Sequence, residues 1–98
     1  MKTGEDILRD LKSHEDRIHN FGVKRIGLFG SYAYGSPSKT SDIDILIEFE
    51  DGKKTFDNYM DLKAFLEQIL GAKVDLVIKN AIKDRLRSHI LKGVRYVS

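Results

Sequence analysis

Ile43, Ile45, Ile47 and Phe49 alternate with Asp44, Leu46, Glu48 and Glu50. A period of two predicts a strand over residues 42–50, with the isoleucines on one face and the acids and Leu46 on the other. Upstream, Ile7, Leu8, Leu11 and Ile18 recur at helical spacing. They predict a helix over residues 4–20, opened by Thr3 with Asp6 at the acidic third position. Residues 23–29 read as a strand closed by Gly30, followed by a short helical turn over 31–34, stopped by Gly35, and a polar loop over 36–41. After the Asp51-Gly52 turn, Thr55 caps a predicted helix over 56–70, whose apolar stripe is Leu62, Phe65, Leu66, Ile69 and Leu70 and whose C-cap is Gly71. Residues 73–78 form a third strand, with Val74, Leu76 and Ile78 facing one way and Asp75 and Val77 the other. A last helix is expected over 81–92, with Ile82, Leu86 and Ile90 inward, before Gly93 and a short strand or docked tail at 94–97.

The resulting order, α-β-α-β-α-β-α, predicts a two-layer α/β (α+β) domain. At 98 residues the whole chain, 1–98, is expected to be a single domain. The pattern leaves the order of the strands open.

Composition narrows the function classes. No apolar run is long enough to span a membrane, and Met1-Lys2-Thr3 opens no signal-peptide pattern. Without cysteine, disulfides and thiolate zinc sites are excluded, which fits a cytoplasmic protein. Seventeen Lys and Arg against fifteen Asp and Glu give a net charge of +2, too mild to predict direct nucleic-acid binding. His14, His19 and His89 are scattered on predicted helices and lack the spacing of a zinc site.

The chemistry concentrates in GLFGSYAYGSPSKTSDIDILIEF, where Gly30-Ser31 is followed, ten residues on, by Asp42-Ile43-Asp44. Residues two apart on a strand share a face, so Asp42 and Asp44 project side by side near the Gly-Ser turn. Paired carboxylate oxygens suit a hard divalent cation, and a turn of backbone N–H groups with a hydroxyl suits phosphate. At average residue usage the four fixed residues arise by chance in about 10⁻³ of chains this long. Asp75 adds a third acid, on the same face if its strand lies beside the 42–50 strand. Taken singly, each part has an ordinary structural reading: a capped strand entry, a helix N-cap, an exposed edge aspartate.

The G-S-x10-D-x-D pattern resembles the signature of the DNA polymerase beta-like nucleotidyltransferases, and most of all their minimal nucleotidyltransferase (MNT) domains. The resemblance implies the nucleotidyltransferase fold, a short mixed sheet with helices on one face. It implies Asp42, Asp44 and Asp75 as catalytic and metal-binding acids for Mg²⁺, as a pair of ions, with Asp75 as general base. It also implies Gly30, Ser31 and Ser41 on the nucleotide side, with ATP as substrate. Stand-alone members of this type act as antitoxins toward a HEPN-domain ribonuclease toxin encoded nearby, and adenylylate a tyrosine of it. A non-catalytic module that inhibits its partner by occlusion is the alternative, and a homo-oligomer is left open. One departure stands out. Many minimal members carry arginines where this chain has Tyr32 and Tyr34. The tyrosines either stack on a base or pack against the fold, and Lys39 is a candidate to replace the missing charge.

Overall fold

The computed structural model describes residues 3–33 and 42–97. Within them the chain runs through α1 (Gly4–Ser13), α2 (Glu15–Asn20), β1 (Val23–Phe29), β2 (Ile43–Phe49), α3 (Phe56–Leu70), β3 (Val74–Ile78), a 3-10 turn (Lys79–Ala81), α4 (Asp84–Lys92) and β4 (Arg95–Tyr96). The strands form one sheet in the order β3-β2-β1-β4. β1 is antiparallel to β2 and β4, whereas β2 and β3 run parallel, so the sheet is mixed.

Local signals set most boundaries. Thr3 and Asp6 form a reciprocal capping box on α1: Thr3 Oγ1 accepts from the Asp6 N–H at 3.2 Å and Asp6 accepts from the Thr3 N–H at 3.0 Å. Thr55 accepts from the Asn58 N–H at 3.1 Å to start α3, and Gly71, at φ +66°, ends it in the left-handed region. The predicted helix over 4–20 is in fact two helices, broken at His14. In an unbroken helix the Asp10 carbonyl would accept from the His14 N–H. Here the Ser13 hydroxyl donates to that carbonyl at 2.9 Å and His14 Nδ1 lies 2.8 Å from it, while the His14 N–H turns to the Leu11 carbonyl at 3.2 Å.

Two further expectations are corrected. Ser31, Tyr32 and Ala33 make a turn rather than a helix, closed by the Ala33 N–H donating to the Gly30 carbonyl at 3.0 Å. Tyr34, Gly35 and the loop over 36–41 lie outside the described residues. The last helix starts three residues late, at Asp84, because residues 79–81 form the 3-10 turn and the Ile82 N–H closes on the Lys79 carbonyl. Ile82 is still buried, but Leu86 faces outward at 44% exposure.

The core lies between the helices and one face of the sheet. Ile7, Leu11 and Ile18 meet Leu62, Leu66 and Leu70 over Ile26, Leu28, Ile43, Ile45 and Ile47. Burial of each such side chain stabilises the fold by about 1.5–3 kcal/mol. On the opposite face the sheet is covered in its middle: Leu46 is fully buried, and its register partner Gly27 lies under Val94 and Tyr96. β3 is an edge strand. The Ile43 N–H donates to the Lys73 carbonyl, which turns the polar groups of Val74, Leu76 and Ile78 outward. Two of these are capped from α3. Tyr59 donates its hydroxyl to the Leu76 carbonyl at 2.6 Å, and Glu67 accepts from the Val74 N–H at 3.0 Å.

Candidate active site

Sheet register assembles the site. β1 ends at Phe29, which pairs with Asp44 of β2, and Asp44 in turn pairs with Asp75 of β3. Side chains of register partners share a face, so Asp44 and Asp75 stand side by side. Asp42 lies one residue ahead of β2 and is exposed, as is Asp75, while Asp44 is half-buried.

Gly30 follows at φ +74°, a backbone conformation that side chains rarely adopt. A β-carbon there would fall on the Asp44 carboxylate. Glycine therefore lets the turn close directly over the acid. Ser31 is partly exposed within that turn, and Ser41 lies outside the described residues. Tyr32, by contrast, belongs to the core at 7% exposure. Packing, not presentation to a base, accounts for it.

Gly4, a residue with no signal in the sequence, also contributes. It is buried in the first turn of α1, and a β-carbon on it would collide with the Tyr32 carbonyl oxygen. The start of α1 is thus seated on the Gly-Ser turn. Only its position in the folded chain reveals this.

Among the described residues the site is short of positive charge. Burial raises the Asp44 carboxyl, and the neighbouring charges of Asp75 and then Asp42 raise it further, from 3.8 to about 6. Among the described residues none of the three acids is in an ion pair. Nor do any three His, Cys, Asp or Glu of the described residues form a closed metal cluster as they stand. Asp44 and Asp75 are the tight pair, and Asp42 acts on Asp44 more weakly.

Fold and site together place the chain among the nucleotide-transferring enzymes. Residues 5–97 match the family model described as nucleotidyltransferase domain, and the chain belongs to that family. It is 39% identical over 98 residues to the protein adenylyltransferase MntA of Thermococcus cleftensis, covering 99% of this chain and 98% of that one. A solved structure described as a minimal nucleotidyltransferase superposes with a TM-score of 0.75 at 33% identity, over 90% of this chain and 93% of that one. The fold is also that of a chain in the complex of a tri-AMPylated Shewanella oneidensis HEPN toxin with its MNT antitoxin, with a TM-score of 0.65 at 20% identity, over 93% of this chain and 71% of that one. Among the described residues no helix is long and apolar enough to cross a membrane.

Proposed function

We propose that this chain is a Mg²⁺-dependent protein adenylyltransferase: it moves AMP from ATP to a tyrosine hydroxyl of a HEPN-domain toxin and so acts as its antitoxin. The observation that carries the reading is the pairing of Asp44 with Asp75 directly beneath the Gly30 turn. The adenylyltransferase relative at full-length coverage supports the reaction, and the AMPylated toxin complex of the same fold supports the partner.

The donor set fits Mg²⁺. Carboxylate oxygens are its preferred ligands, and a cation between the acids would offset both the burial and the repulsion from Asp75 and Asp42 that raise Asp44. Asp42, Asp44 and Asp75 would hold the metal, as a pair of ions. Bound there, it would supply charge stabilisation to the α-phosphate and to the departing pyrophosphate. The chain's own groups do the rest. Backbone N–H groups of the Gly30-Ser31 turn and the Ser31 hydroxyl hold the triphosphate. The tyrosine oxygen attacks the α-phosphorus, the bond to the β-phosphate oxygen breaks, and pyrophosphate leaves. The Asp75 carboxylate takes the hydroxyl proton.

Incubation with α-labelled ATP and the HEPN-domain toxin tests this. Label should pass to the toxin with Mg²⁺ and fail to pass with EDTA. Label that never reaches the toxin, in a mixture where the toxin is nonetheless inhibited, would establish occlusion instead. Tyr32 is the observation that favours occlusion, since a buried tyrosine stands where many members of the family carry an arginine.

A further inference from the structure

Gly4 opens α1 with a helical backbone, and it is not among the described glycines of positive φ. Alanine would suit that backbone better than glycine does. What glycine supplies is the missing β-carbon, which would overlap the Tyr32 carbonyl oxygen. That oxygen is main chain, so it cannot swing aside as the tip of a flexible side chain would.

Two peptide planes carry this contact to the site. Every described peptide is trans, a rigid plane whose carbonyl and N–H point opposite ways. The Tyr32 carbonyl faces Gly4, so the Ala33 N–H of the same plane faces away from it, where it donates to the Gly30 carbonyl at 3.0 Å. The Gly30 carbonyl shares its own plane with the Ser31 N–H, which therefore points away from that closing bond. A methyl group on Gly4 that displaces the Tyr32 carbonyl tips the first plane, strains the closing bond and re-aims the Ser31 N–H. Thr3 fixes Gly4 in its turn, through the capping box with Asp6.

We propose that Gly4 is a positioning residue for the nucleotide: the start of α1 sets the direction in which the Gly30-Ser31 turn presents its N–H groups to the triphosphate. The inference rests on the adenylyl-transfer reading above for the identity of the ligand. An N–H that grips the triphosphate before and during transfer contributes to binding in both states, so its loss falls on the KM for ATP rather than on kcat.

The test uses the full chain with Gly4→Ala, Thr3→Ala and Thr55→Ala. Thr3→Ala loosens the start of α1 without a clash. Thr55→Ala removes the corresponding cap of α3 and controls for lost stability alone. Affinity for AMP-PNP with Mg²⁺ is measured by calorimetry, and exchange of the Ala33 amide by NMR. Gly4→Ala should bind about tenfold more weakly, the loss of one N–H bond to a charged phosphate. Thr3→Ala should lose about threefold and Thr55→Ala less than about twofold. Ala33 should exchange faster in the first two variants only. With the HEPN-domain toxin as acceptor, Gly4→Ala should raise the KM for ATP about tenfold and leave kcat within about twofold. Unchanged AMP-PNP affinity in Gly4→Ala would overturn the proposal, and so would an equal loss in Thr55→Ala. Should Gly4→Ala not fold, Thr3→Ala against Thr55→Ala decides, and equal affinities overturn it. A wild type that binds AMP-PNP tenfold better than Gly4→Ala yet transfers nothing would end the adenylyl-transfer reading and still support the role of Gly4.

Discussion

Gly30 and Asp44 compete for one space: the Asp44 carboxylate lies where a β-carbon on Gly30 would stand. Gly30→Ala should therefore act twice. The left-handed backbone at φ +74° strains any side chain, at a cost of about 1–2 kcal/mol, and the methyl group pushes the acid aside. Thermal unfolding should show a melting temperature lower by roughly 5–15 °C. Transfer should fall further than that loss explains.

The Asp44–Asp75 pair fixes a pH dependence. Asp44 is raised from 3.8 to about 6, so between those values the folded protein binds more protons than the unfolded chain. Its contribution to stability is greatest below about pH 4, declines as pH rises through 6, and stays low above. Asp44→Asn removes both the cost of burying the charge and its repulsion with Asp75 and Asp42. Without metal, the variant should gain about 1–2 kcal/mol over wild type at pH 8 and little at pH 4, after allowance for solvent screening. Urea unfolding at the two pH values checks the sign. Added Mg²⁺ should stabilise the wild type at pH 8 and the variant much less.

Asp75→Asn tests the proposed role of that acid. If Asp75 takes the hydroxyl proton, the rate should fall by about 10²–10⁴. Removing the charge beside Asp44 should also lower that carboxyl part of the way, its burial remaining, and shift the acid limb of any pH–rate profile to lower pH. Rates across pH, with ATP affinity measured in parallel, distinguish this from a simple loss of fold.

Tyr59→Phe probes the sheet edge. It leaves the Leu76 carbonyl without the hydroxyl that meets it at 2.6 Å. The expected cost is about 1 kcal/mol, read by thermal unfolding, with faster amide exchange along β3.

The two central strands were legible because period-two alternation is a strong signal, and β2 buries Ile43, Ile45 and Ile47 as that pattern requires. Thr3 and Thr55 announced their helices through side chains that act within three residues. What needed the folded chain depends on distant or competing partners. The break at His14 follows from two side chains outcompeting one backbone N–H. The late start of α4 follows from a 3-10 turn that costs the helix its inward register at Leu86. The face of Asp75 could be read from its neighbours, but its pairing with Asp44 awaited the strand order. Gly4 gave no hint at all, since its role is a close approach to the backbone carbonyl of Tyr32, far off in the sequence.

The most direct test of the central claim is intact mass of both proteins after incubation of the chain, ATP and Mg²⁺ with the HEPN-domain toxin. The account predicts one or more adenylyl groups added to the toxin by the wild type, and none by Asp44→Asn under the same conditions. An unmodified toxin, bound and inhibited equally by wild type and Asp44→Asn, would contradict it.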